Sequence, residues 1–103
     1  MSETYEKIAA EVIAEVDRSI RLHGDQRHLP IGGGRYQDQA AATRSRMITD
    51  TNARLGLVSW QDILREEFHE AFAETEPLKV RAEMIQVAAV ALKIIDAIDY
   101  GED

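Results

Sequence analysis

Apolar residues recur at three- and four-residue steps along nearly the whole of this chain, and that spacing leaves few choices of fold. Ile8, Val12, Ile13, Val16 and Ile20 follow it at the start, and Val80, Val87, Val90, Ala91, Ile94 and Ile98 follow it near the end. This is the period of an α-helix with one face turned inward. Strand-like alternation of useful length is missing. With 103 residues the chain makes one domain. The expected fold is all-α, a four-helix bundle.

Punctuation divides the pattern. The first helix is expected over residues 3–22, stopped by His23-Gly24. Residues 24–36 contain Pro30 and the run Gly32-Gly33-Gly34, which exclude a regular element and read as a mobile loop. A phosphate-cradling loop would need a following Lys-Ser/Thr and a preceding strand, and neither is there. A second helix is expected over 37–55, with Met47, Ile48 and Leu55 as a weak apolar stripe and Gly56 as its stop. Ser59-Trp60-Gln61-Asp62 has the form of a capping box opening a third helix that runs to about Thr75. Pro77 suits the first turn of a fourth, ending near Ile98. The short link makes the last two helices antiparallel neighbours.

Charge is unevenly spread. The net charge is −7, which argues against a general nucleic-acid binder. Residues 1–17 sum to −4, residues 18–54 to +4 and residues 55–103 to −7. There is no cysteine, so neither a disulfide framework nor a thiolate metal site is available. No signal-like segment or membrane-length apolar run is present, and a cytoplasmic protein is expected.

The acidic end holds the most informative residues. Glu67 and Glu70 are three apart on the third helix and share a face. Glu67 also lies three after Leu64 and four before Ala71, within the apolar line. An uncompensated carboxylate there is costly or gives up its charge. Glu83 interrupts the fourth helix in the same way, three after Val80 and four before Val87, with Gln86 one turn on. Antiparallel packing would gather Glu67, Glu70, Glu83 and Gln86, and such hard oxygen ligands suit Mg²⁺ or Mn²⁺. The plain alternative is a set of solvated or ion-paired glutamates. His69 is expected to face solvent, Met47 and Met84 to pack in the core, and Trp60 to be core more often than not.

Glu66-Glu67-Phe68-His69-Glu70, followed after twelve residues by Glu83-Met84-Ile85-Gln86, resembles the MazG-like all-α nucleoside triphosphate pyrophosphohydrolases. Their pattern is Glu-Glu-x-x-Glu, then Glu-x-x-Asp on the next helix. The flanks at 57–64 and 81–91, and His23 to Pro30 upstream, are similar to a small subgroup from actinobacteria and their phages. The resemblance is strong over 57–99 and looser over 18–56. It implies hydrolysis of a (d)NTP to the monophosphate and pyrophosphate with Mg²⁺, and a homodimer or homotetramer. Glu67, Glu70 and Glu83 would then be metal ligands, with Gln86 a neutral fourth, and Glu66 the residue that orients or deprotonates water. Arg46, Arg54 and Lys93 would neutralise phosphate charge and Trp60 would stack on the base. One departure is Gln86, where the family has Asp. Gln brings no charge and cannot act as a base, which keeps open two other readings. One is a weakly active or inactive nucleotide- or metal-binding module, the other a helical interaction protein of phage origin.

Overall fold

A computed structural model describes residues 2–102 of the chain. Among them are four helices, α1 (Ser2–His23), α2 (Tyr36–Arg54), α3 (Trp60–Ala73) and α4 (Pro77–Glu102), and no strand. The expected helix bounds hold to within a few residues. No helix among the described residues is long and apolar enough to cross a membrane.

The local reasons are visible at the helix ends. Ser59 opens α3, its hydroxyl accepting from the Asp62 N–H at 3.3 Å while the Asp62 carboxylate accepts from the Ser59 N–H at 3.2 Å. Pro77 is the first residue of α4, where a missing N–H is harmless. Gly24 stops α1 with φ +71, its N–H reaching the Ile20 carbonyl.

The chain forms two compact units. Residues 32–91 make one, holding α2, α3 and the first part of α4. Here α2 and α3 pack as an antiparallel hairpin. The face α2 turns inward differs from the expected stripe. Met47, Ile48 and Leu55 are exposed, and the inward line is Ala42, Ser45, Thr49 and Asn52. These small and polar side chains bond across the hairpin. Ser45 pairs with His69 Nδ1, Thr49 Oγ1 donates to the Asp62 carbonyl, and Asn52 Nδ2 donates to the Asp62 carboxylate at 3.0 Å. The helix pair is therefore held by hydroxyl and amide bonds where a count of large apolar residues sees little.

The glycine run is part of this unit rather than a free loop. Gly34 N–H donates to the Phe72 carbonyl at 2.6 Å, satisfying an acceptor at the C-terminal end of α3. Gly33 has φ +81, and a Cβ on it would lie 2.5 Å from the same carbonyl oxygen. Only glycine fits that approach.

The other unit comprises residues 1–31 and 92–103. Tyr5 donates its hydroxyl to Asp96 at 3.0 Å, tying α1 to the end of α4. Ile8 is buried, but Val12, Ile13, Val16 and Ile20, expected on the same inward stripe, are exposed. On α4, Val90 is buried, while Val87, Ala91, Ile94 and Ile95 are half-buried and Ile98 is exposed.

Candidate metal centre

Two short facts of chain geometry build the site. Glu67 and Glu70 lie one turn apart on α3, and a three-residue connection, 74–76, returns the chain as α4. The return brings Glu83 opposite them. One carboxylate oxygen from each of Glu67, Glu70 and Glu83 lies within 4.8 Å of the other two. Oxygens on opposite sides of a bound Mg²⁺ are separated by about 4.2 Å, and around Ca²⁺ by nearly 5 Å. The three oxygens are thus close enough to share one cation. All three residues are half-buried.

The electrostatics match that geometry. Glu70 has its carboxyl pushed above the ordinary value, first by burial and then by the charges of Glu67, Glu66 and Glu83. Arg46 of α2 pulls the other way, its Nε 3.7 Å from Glu70 Oε1. Arg46 is half-exposed, so its attraction is partly screened and offsets the repulsion incompletely. At Glu70, burial and the neighbouring carboxylates thus outweigh Arg46, and a divalent ion would relieve that repulsion. The donor set is all carboxylate oxygen, which fits a hard cation.

A cleft of about 220 Å³ opens beside the cluster, lined by Ala42, Arg46, Glu70, Ala73, Glu74 and Glu83. The two alanines leave the space, and Arg46 supplies one positive group to its wall. Glu74 also lines the cleft and is half-buried. Its place one turn beyond Glu70 was the available signal.

The remaining expected residues are distributed more widely. Glu66 is half-buried and adds to the charge felt by Glu70. Gln86, one turn after Glu83, is exposed. Arg54 and Trp60 lie at the end of α2 and the start of α3, and Trp60 is about ten ångströms of helix rise from Glu67. Arg54 is exposed and bonds Thr51. Trp60 is 39% exposed, so it is not the core residue its type suggests. Lys93 is exposed and belongs to the other unit. His69 does not face solvent but is half-buried on Ser45. That bond orients the hairpin beside Glu70, and pairing two polar residues 24 apart in sequence left no periodic trace. Met47 is exposed while Met84 is half-buried.

No family of known proteins matches the sequence, and no curated protein or solved structure is significantly similar to it.

Proposed function

We propose that this chain is a Mg²⁺-dependent nucleoside triphosphate pyrophosphohydrolase of the MazG-like kind, cleaving a (d)NTP to the (d)NMP and pyrophosphate. The observation that carries the reading is the convergence of Glu67, Glu70 and Glu83 within 4.8 Å. It is the same set of carboxylates that the Glu-Glu-x-x-Glu and Glu-x-x-Gln resemblance singles out. Mn²⁺ would serve in place of Mg²⁺.

In this reading Glu67, Glu70 and Glu83 hold the cation, with exposed Gln86 as a neutral neighbour. Mg²⁺, when held there, would neutralise phosphate charge and lower the pKa of a water. Glu66 would orient or deprotonate a water attacking the α-phosphorus, with pyrophosphate as the leaving group. Arg46, already against Glu70 and lining the cleft, turns its guanidinium to the phosphates. Arg54 and Trp60 would act on parts of the substrate further from the carboxylates. A homo-oligomer in the cytoplasm of a bacterium or phage-infected host completes the reading.

Gln86 favours a second reading, a module that binds nucleotide or metal without turnover. A site with three anions holds a divalent ion more weakly than one with four. A panel of NTPs and dNTPs with Mg²⁺ or Mn²⁺, read out as pyrophosphate, separates the two. Turnover that Glu67→Ala abolishes supports hydrolysis. Nucleotide-dependent stabilisation without turnover supports the binding module. Neither turnover nor any stabilisation by metal or nucleotide ends both.

A further inference from the structure

We propose that α1 carries a docking groove for a basic amphipathic helix of a partner protein. The proposal goes beyond the hydrolase reading and does not rest on it. The groove begins where the helix stops burying its apolar stripe. Ile8 is 3% exposed, but Val12, Val16 and Ile20, at successive four-residue steps, are 43%, 50% and 55% exposed, and Ile13 beside them is 61% exposed. A continuous run of this kind is unlike the single apolar residues scattered over an ordinary surface. Two clefts follow it. One, of about 300 Å³, is lined by Ile8, Glu11, Val12, Glu15 and Ile95. The next, of about 370 Å³, is lined by Val12, Glu15, Val16, Ser19 and Ile20. They share Val12 and Glu15, and every lining residue belongs to the unit of residues 1–31 and 92–103. From Ile8 to Ile20 the helix rises about 18 Å, the length of about three turns of a second helix laid along it.

Charge identifies the occupant. Glu11 and Glu15 border the stripe on one edge and line the clefts. Glu6 and Asp17 border the other edge, beyond Ile13, by helical spacing. All four are exposed. The cations of the helix are placed elsewhere. Lys7 and Arg21 fall on the far side by the same spacing, and Arg18 bonds Glu15 from outside the stripe. That pair is exposed on both sides and contributes little, so it yields to a partner's cation. An apolar floor between two acidic edges suits a helix with apolar anchors at i, i+3, i+4 and i+7 flanked by Lys or Arg. Two copies of α1 laid face to face would set acidic edge against acidic edge, so a second copy is the poorer occupant. The anionic headgroups of a lipid surface are repelled by the same carboxylates.

Two labelled synthetic helices of about 14 residues test this. Both carry leucine along one face; the rest is Lys in one and Glu in the other. Binding is read by fluorescence anisotropy, and the mass of the protein by light scattering. The Leu/Lys peptide should bind about tenfold or more tightly than the Leu/Glu peptide. Val16→Asp should weaken it about tenfold, whereas Met47→Asp, at a side chain of α2 that is 65% exposed, should leave it unchanged. Glu11→Lys together with Asp17→Lys should reverse the preference, and Glu76→Lys should not. The reversal is a gain of binding, which a misfolded variant cannot produce. Failure of the Leu/Lys peptide to bind overturns the proposal. So does binding that Met47→Asp weakens as much as Val16→Asp, or a preference that the double lysine variant leaves unchanged. A particle of twice the chain mass that Val16→Asp converts to monomer also overturns it, since a second copy then holds the stripe. No metal or nucleotide enters the measurement, so its failure leaves the hydrolase reading standing.

Discussion

Replacing Glu83 with Gln should make the metal-free protein more stable and take away its response to Mg²⁺. The carboxylate oxygens of Glu67, Glu70 and Glu83 sit within 4.8 Å of one another. Two unit charges at that distance repel by about 0.9 kcal/mol in a water-like medium and by about 3.5 kcal/mol at the effective dielectric of a protein surface. The site is half-buried and partly screened, so the lower part of that range applies. Removing one charge while keeping the side chain's size should therefore gain about 1 kcal/mol. For a domain of this length that raises Tm by about 4–8 °C. On the parent protein, Mg²⁺ should relieve the same repulsion by binding. A site with a Kd of about 1 mM gains about 1.4 kcal/mol at 10 mM cation, and the Glu83→Gln variant should gain little. Thermal melting by circular dichroism, in EDTA and in Mg²⁺, reads both effects. The variant should melt higher than the parent in EDTA, and the gap should close or reverse in Mg²⁺. If the variant melts lower in EDTA, and Mg²⁺ raises both proteins equally, the three carboxylates are not a charge-frustrated cation site and the argument fails.

Three other perturbations probe different parts of the account. Gly33→Ala should cost about 2 kcal/mol or more in urea unfolding, because it adds strain at positive φ to a clash with the Phe72 backbone oxygen. Gly32→Ala meets nothing within 4 Å and should cost about 1 kcal/mol; equal losses would mean the loop is not docked on α3. Metal-free stability should have an acid optimum. Asp62 is held below its ordinary range by Asn52 and then by the Ser59 backbone, so its contribution is lost as pH falls through that lowered value. Glu70 is raised by burial and neighbouring carboxylates, so its penalty is absent below about pH 4.5 and grows as pH rises through the raised value. Glu70→Gln should flatten the upper limb alone, and a decline with rising pH that this variant leaves unchanged would contradict the assignment. Arg46→Ala should strengthen divalent-ion binding, by freeing Glu70, and weaken triphosphate binding roughly tenfold or more in calorimetry. Loss of both together would place Arg46 in the fold rather than at the site.

Much of the fold was legible because helix signals are local. Ser59 and Asp62 stand three apart and cap α3 as their types predict; Pro77 opens α4. The acidic triad was legible for a related reason. Glu67 and Glu83 each interrupt an apolar line, which a solvated glutamate has no cause to do. What sequence concealed was tertiary. On α2 the inward residues are Ala42, Ser45, Thr49 and Asn52, whose contribution is made through bonds to residues of α3. A search for large apolar side chains therefore chose Met47 and Ile48, which face outward. The glycine run looked free because its anchor, the Phe72 carbonyl, is 38 residues away from Gly34. On α1 the period pointed to an inward face, but past Ile8 its apolar residues Val12, Ile13, Val16 and Ile20 are exposed, because a period cannot say what covers it.

The claim that most of this rests on is that Glu67, Glu70 and Glu83 hold a divalent cation together. Mn²⁺ binding, followed by electron paramagnetic resonance of the free ion, tests it without any assumption about substrate. The account predicts one Mn²⁺ per chain, displaced by Mg²⁺, with affinity falling sharply in Glu67→Gln and Glu83→Gln variants that remain helical. Mn²⁺ staying free in the presence of folded protein, or binding that both variants leave intact, would contradict it.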